Sequence, residues 1–464
     1  MPKDGTRWRR AALAAIVLVY CLLGLAYAVE TPQWQTPDEP AHFNYVLYLA
    51  EHGAFPVLQM GDYPHEYLEE IKAAEFPPEM SIEPIRYESH QPPLYYLLSA
   101  LLYRVTEPLG FDAQFLVLRL FSVLLGAFLL VVAYLIVAEI FPDSPFLPLA
   151  APAVIATVPM HIAMSAAINN DTLAELILAL VIWLCVREIK AGLTRPQTTL
   201  LGLLVALALL TKTTIYAPVL LATLLALAVR VRQQGWRVFL GRLGLVYGLA
   251  LALSGWWFVR NVLTYGDLDL FAWQRHGSIV VGQPTTAQWI AQYGLARTVQ
   301  DLFVVSFRSF WAQFGWMGVL IDSRLYLLLA LLSLTVAVGF LLWVLRVVRK
   351  QALLSGFQRW ALLLLLLIFL LVAAEHISYN LQFVQHQGRY LFPALLPIGL
   401  AFALGLRQWI LIAAGVLDRL PLPHGVKRHL PAVLQALVLL LFYAGLVALD
   451  LVCLYGFIVP QLRG

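Results

Sequence analysis

The segment PPLYYLLSALLYRV, residues 92–105, decides the architecture. It is apolar enough to enter a bilayer. It is short of the roughly 20 residues that a helix needs to cross one, and Arg104 sits near its end. Eleven other apolar runs reach or approach that length: 11–29, 114–140, 146–166, 172–188, 197–211, 214–229, 239–259, 324–345, 360–378, 391–411 and 432–456. If 92–105 does not cross, every basic cluster falls on one side. These clusters are Arg7, Arg9 and Arg10; Arg187, Lys190 and Arg195; Arg230, Arg232, Arg237 and Arg242; Arg346, Arg349, Lys350 and Arg359; and Arg419, Lys427 and Arg428. That side is cytoplasmic by the positive-inside rule. If it does cross, most clusters move outside while the N-terminal one stays in. The segment is therefore read as an interfacial or re-entrant helix on the outer face, with eleven spans, the N-terminus inside and the C-terminus outside.

The composition agrees. The chain of 464 residues is 61% hydrophobic and 12% charged, against about a quarter charged in an ordinary soluble domain. The expected fold is all-α: one polytopic membrane helix bundle over residues 1–464, placed in the plasma (inner) membrane. The net charge of +4 decides little, because distribution outweighs total in a membrane protein. Cys21, Cys185 and Cys453 all lie in apolar runs, which argues against a disulfide framework or a thiolate metal site. No nucleic-acid signature and no glycine-rich phosphate loop is present. The start, RWRRAALAAIVLVYCLLGLAYA, imitates a signal peptide down to its Ala-Tyr-Ala ending. It is read as a retained first span, which fits the charge pattern.

Two large loops then face outward, at about 30–106 and 260–322. The first is strongly acidic between Glu30 and His90, while the second is rich in Trp, Gln and Gly. The first loop has helical order. Pro40 suits a first helical turn, where its missing N–H is no loss. Phe43, Val46, Leu47 and Ala50 recur at helical spacing, and Gly53 is a stop signal. Tyr67, Leu68 and Ile71 mark a second amphipathic piece. Both are expected to lie on the membrane as a platform over the bundle.

Ionisable residues collect at this outer end. In TPDEPAHFNY, residues 36–45, Asp38 and Glu39 precede the Pro40 helix and His42 follows one turn later. Helix capping explains one acid, and two with a histidine exceed it. Asp171 and Asn170, in AINNDTLAE, stand at the outer end of the third span, where capping is an equal explanation. Lys212 lies in the outer hairpin between the fifth and sixth spans, and snorkelling accounts for it equally well. Arg389, beside Tyr390, opens the tenth span as an interfacial anchor or an oxyanion ligand. Arg260 and His90 also face outward, and Glu375 and His376 occupy the last turn of the ninth span. Carboxylates take a proton from a nucleophile, while fixed cations hold a phosphate and stabilise it as it leaves. Together they suit transfer of a group from a membrane-anchored phosphate donor.

A first span followed by PDE and an amphipathic helix resembles the GT-C membrane glycosyltransferases. The closer branch is that of the protein O-mannosyltransferases and lipid A aminoarabinose transferases. HQPPLYYLL resembles that branch's Pro-Pro-Leu-Tyr-Trp-like segment, the asparagine-aspartate after the third span matches, and GRYLFPALLP recurs in bacterial relatives, including uncharacterised ones. The resemblance implies a polyprenyl-phosphate sugar donor, an active site on the outer face and inversion at the anomeric carbon. The acceptor would be a lipid, a glycan or a protein. The family's first catalytic acid falls on Asp38 or Glu39 and its second on Asp171. His42, His90, Asn170, Lys212, Arg260, Arg389 and Tyr390 are the candidates for binding substrate. In the aminoarabinose branch a Glu-Lys pair near phosphate or metal precedes the proline-containing helix. Here Ser89 and His90, then Gln91, stand in that place, a departure from the pattern that carries that metal site and that phosphate contact. No cofactor is called for and no metal ligands are assigned, although a divalent cation is compatible with the acids.

Two other classes compete. A transporter or flippase of a lipid-linked saccharide would tend to show broken-helix pairs or inverted repeats with charge near the midplane, and neither is clear in the sequence. A non-catalytic envelope assembly protein would keep the acids without transferring a sugar.

Overall fold

The computed structural model describes residues 4–419, 421 and 424–463. The fold is a helix bundle with one small hairpin among the described residues, Gln313–Phe314 paired with Val319–Leu320. In chain order the helices are α1 (Asp4–Glu30), α2 (Glu39–His52), α3 (His65–Ala73), α4 (Leu94–Val105), α5 (Phe111–Ile140), α6 (Leu147–Ile155), α7 (Pro159–Ser165), α8 (Asp171–Ala191), α9 (Arg195–Leu209) and α10 (Tyr216–Val229). They continue with α11 (Val231–Gln234), α12 (Trp236–Tyr265), α13 (Trp273–Ile279), α14 (Thr286–Tyr293), α15 (Leu295–Trp311), α16 (Ser323–Val348), α17 (Gly356–Gln382), α18 (Leu395–Leu417), α19 (His424–Cys453) and α20 (Val459–Leu462).

Each of the eleven apolar runs lands on a helix or a bent pair, but they differ in length. Seven segments are long and apolar enough to cross a membrane, and the α6–α7 pair, bent by 66°, makes up to eight. The count of eleven is not established by length. α9 has 15 residues and α10 has 14, about 22 Å at 1.5 Å per residue. The length of α8 is sufficient, but Asp171, Glu175, Arg187, Glu188 and Lys190 lower its hydropathy. Pro159 starts α7 where α6 has ended, which accounts for the bend, since proline has no N–H with which to continue the ladder.

α4 spans 12 residues, about 18 Å against a hydrocarbon core of about 30 Å. It packs on α2, and Arg104 Nε donates to the Ala50 carbonyl at 2.6 Å. Cysteines placed beside Gln91 and beside Arg195 are therefore expected to label from opposite sides of the membrane. Labelling of the Arg195 loop from outside would overturn the sidedness read from the charges.

α2 is more deeply set than a helix lying on a bilayer. Its residues from Glu39 to Val46 are all buried. It ends at Gly53, whose φ of 63° is left-handed, with the Gly53 N–H donating to Leu49 O. In α3, Leu68 and Ile71 are buried, and they join Ile85, Tyr87 and Val280 in a small second core. That core includes residues of both large loops. The loops interlock elsewhere too: Arg260 donates to Pro56 O (2.6 Å), Arg275 to Leu58 O (3.1 Å) and Trp316 Nε1 to Trp34 O (2.8 Å).

Candidate active site

The interlocked loops cover a cavity of about 1390 Å³. Its upper walls are polar and aromatic. Its deeper wall is formed by Leu209, Ala217, Leu220, Ala250, Leu251, Gly255 and Phe258, on α9, α10 and α12. An acid and a cation meet twice at the polar end. Asp38 lies just before α2 in a left-handed conformation, φ 69°. A non-glycine residue is strained there, and aspartate and asparagine tolerate it best. One Asp38 oxygen accepts from the Tyr87 hydroxyl at 2.8 Å, and the other from Arg389 Nη2 at 2.5 Å. Burial alone would raise this carboxyl. The Arg389 guanidinium, with His42 behind it, brings it down to about 2, so it is ionised at any ordinary pH.

The second pair starts α8. Asp171 Oδ1 lies 2.7 Å from Lys212 Nζ, which also donates to Asn170 Oδ1 at 2.9 Å. Asn170 in turn donates to Thr211 O at 3.1 Å, so the break before α8 and the turn after α9 are tied together. Arg389 is held by its own surroundings, with Nε on Gln387 Oε1 (2.6 Å) and its guanidinium 5.4 Å from the Tyr390 ring centre.

His42 and His90 line the same cavity. His42 Nδ1 lies 2.7 Å from the Tyr96 hydroxyl oxygen, and burial lowers its pKa. The His90 ring faces His276 of α13 at 4.4 Å between centres. Burial pushes His90 down to about 4 and His276 to about 3, so both are neutral. Glu88 also reaches the cavity. Burial raises its pKa, and its Oε2 is buried with no hydrogen-bond partner.

Of the expected site residues, the fold brings Asp38, His42, His90, Asp171, Lys212, Arg389 and Tyr390 to the cavity wall, with Asn170 directly behind Lys212. It does not bring Glu39 or Arg260. Glu39 is fully buried in a two-pronged ion pair with Arg119 (2.7 and 2.8 Å) and accepts the N–H groups of Trp34 and Ile168 (both 3.1 Å). Its lone pairs are occupied, so the alternative in which Glu39 takes the role of Asp38 does not fit this geometry. Arg260 points at Pro56 O and Tyr265, because α12 ends there and its guanidinium ties the first loop down.

The pattern did not single out Tyr87, Gln387, His276 or Arg119. For Arg119 a signal existed, since a lone arginine inside the apolar run FLVLRLFS demands a buried counter-charge. Among the described residues no group of three or more His, Cys, Asp or Glu is arranged to hold a metal. Asp38 and Asp171 are each engaged by a side-chain cation, so as arranged they do not make a divalent-cation site.

Similar folds occur in ArnT from Cupriavidus metallidurans bound to undecaprenyl phosphate (TM-score 0.51, 14% identity, 98% of this chain and 74% of that one). They occur also in the oligosaccharyltransferase AglB from Archaeoglobus fulgidus in complex with an inhibitory peptide and a dolichol-phosphate (TM-score 0.51, 14% identity). That match takes in 96% of this chain, which spans only 56% of AglB. Both are GT-C superfamily membrane glycosyltransferases. At such identity the likeness shows the fold, with its several apolar helices, and not the activity. No curated protein matches the sequence. The family of predicted membrane proteins DUF2142 matches residues 79–398. The chain is an integral membrane protein with a GT-C fold and belongs to the DUF2142 family.

Proposed function

We propose that the protein is an inverting glycosyltransferase that moves a sugar from a polyprenyl-phosphate donor to a lipid, glycan or protein acceptor at the outer face of the plasma membrane. One observation carries the reading: two acid–cation pairs, Asp38–Arg389 and Asp171–Lys212, stand at the polar end of a cavity whose deeper wall is apolar. That wall suits a prenyl chain, and the cations suit its phosphate. The undecaprenyl phosphate and dolichol-phosphate held by the two structural relatives support the same donor class.

In this reading the donor phosphate competes with Asp38 for Arg389. As the guanidinium turns to the phosphate, Asp38 loses its strongest stabilising neighbour and becomes more basic. The acceptor O–H then gives its proton to Asp38 while its oxygen attacks the anomeric carbon. The bond from that carbon to the phosphate oxygen breaks, and its electron pair leaves with the phosphate, held by Arg389 and Lys212. Asp171 keeps Lys212 in place and orients the acceptor.

Arg389→Ala is expected to weaken binding of undecaprenyl phosphate by roughly tenfold or more, since a charged hydrogen bond contributes about 1.5–3 kcal/mol. The variant should elute from size exclusion as the folded wild type does. Unchanged binding removes Arg389 from the site. The activity itself is tested by deleting the gene and comparing surface glycans and lipid-linked sugars by mass spectrometry. Loss of one sugar from a glycan, with its polyprenyl-phosphate form accumulating, supports transfer. An unaltered glycan and lipid pool refutes it.

A further inference from the structure

α15 differs from the other helices of its loop. LARTVQDLFVVSFRSFW is strongly amphipathic, and Leu295, Val299 and Phe303 expose one apolar stripe at four-residue spacing. Beside it starts α16, long and apolar enough to cross a membrane and largely unburied by protein. Between them runs an apolar groove of about 310 Å³, lined by Phe303, Val304, Phe307, Tyr326, Leu327 and Ala330. The face of a membrane-crossing helix is covered by lipid, so acyl chains are what this groove meets.

Arg308 stands at the groove's edge. Its guanidinium lies over the Tyr326 ring, 5.2 Å from the centre. Among the described residues it makes no hydrogen bond or ion pair. The nearest acid on its own helix, Asp301, is occupied by Arg297 at 2.9 Å. Tyr326 cannot offer its hydroxyl proton elsewhere, because it donates to the Ala312 carbonyl. An arginine with free donors, on an aromatic ring at the edge of an apolar groove, suits a phosphate.

The opposite side of α15 braces the candidate active site. Ser309 Oγ accepts the Gly388 N–H at 2.7 Å, and Ser306 Oγ lies 3.0 Å from His376 Nε2. The backbones touch there: a Cβ on Gly388 would fall 2.0 Å from Ser306 O and 2.5 Å from Phe310 N. Gly388 immediately precedes Arg389.

We infer that the groove between α15 and α16 binds one anionic phospholipid, its phosphate on Arg308 and its chains along Phe303 and Leu327, and that this lipid presses α15 against the segment carrying Arg389. The site is separate from the central cavity and stands whether or not the chain transfers a sugar. Zwitterionic lipids bind less well, because their own ammonium competes for the phosphate.

The test is native mass spectrometry of the full chain released from nanodiscs of phosphatidylcholine mixed with phosphatidylglycerol. The wild type is expected to retain one phosphatidylglycerol in preference to phosphatidylcholine. Arg308→Ala should lose that preference, with an apparent affinity about tenfold lower, the low end of a charged hydrogen bond. Arg308→Lys should keep part of it. Equal retention of the two lipids by the wild type overturns the site without reference to any variant, as does undiminished preference in Arg308→Ala. Hydrogen exchange tests the brace. Phosphatidylglycerol should slow exchange at residues 388–394 in the wild type and not in Arg308→Ala, and equal exchange with and without the lipid overturns it.

Discussion

Asp38→Asn is expected to lower sugar transfer by about 10²–10⁴-fold, the usual contribution of a positioned proton acceptor, while donor binding and expression persist. The substitution isolates basicity. Asparagine has nearly the same shape and is the other residue at ease at φ 69°. Its amide oxygen still accepts from Tyr87. What disappears is a carboxylate that the protein holds at about 2, below its ordinary 3.8. The sign of that shift matters for controls. A depressed carboxyl contributes stability that is present above the ordinary value and is lost as pH falls toward 2. Near neutral pH the variant therefore loses an ion pair as well as a base, so a melting curve must accompany the kinetics. Asp171→Asn should also impair turnover, but less, through the placement of Lys212 and the acceptor. Near-native turnover in Asp38→Asn would make Asp38 a strained helix start and end the proposed mechanism.

The largest stability effect belongs to a residue outside the cavity. Arg119→Ala, or Glu39→Ala, is expected to destabilise the folded chain by about 3–5 kcal/mol, the cost of stranding one partner of a buried ion pair. Arg119 is 2% exposed and Glu39 0%. Arg119 also donates to the carbonyls of Ala28, Thr31 and Pro32 at 2.6–3.0 Å, so one side chain joins the end of α1, the start of α2 and the first third of α5. Replacing both partners with leucine removes both charges and should cost less than either single change. Thermal unfolding in detergent measures all three. A single variant that melts with the wild type would show that the pair is dispensable.

Much of this was legible in the residues, for physical reasons. Spans are written as composition, so each apolar run found a helix. Their exact lengths were less legible, because a helix packed among others, such as α9 or α10, need not match the bilayer alone. Asp38, Asp171, Lys212 and Arg389 could be grouped because each sits at the end of an apolar run, and the charge pattern assigns those ends to one face. Glu39 could not be separated from Asp38 by spacing. The left-handed turn at Asp38 sends these neighbours in opposite directions, one into the cavity and one into the core, and backbone sign is invisible in a string of letters. Tyr87 and His276 escaped for a different reason. They reach the site through loop packing, which no periodicity encodes.

The Asp38–Arg389 pair also has a consequence for the order of biogenesis. Its partners are separated by 351 positions in the chain. At elongation rates of about 5–20 residues per second, Asp38 is synthesised roughly 20–70 s before Arg389. Throughout that interval the nascent chain carries an acid without its counter-charge, and the pocket cannot close around it. A ribosome stalled before Arg389 is made would therefore hold an inserted intermediate whose Asp38 still lacks its partner, and quality-control proteases acting on incompletely packed membrane proteins would find their substrate during that window.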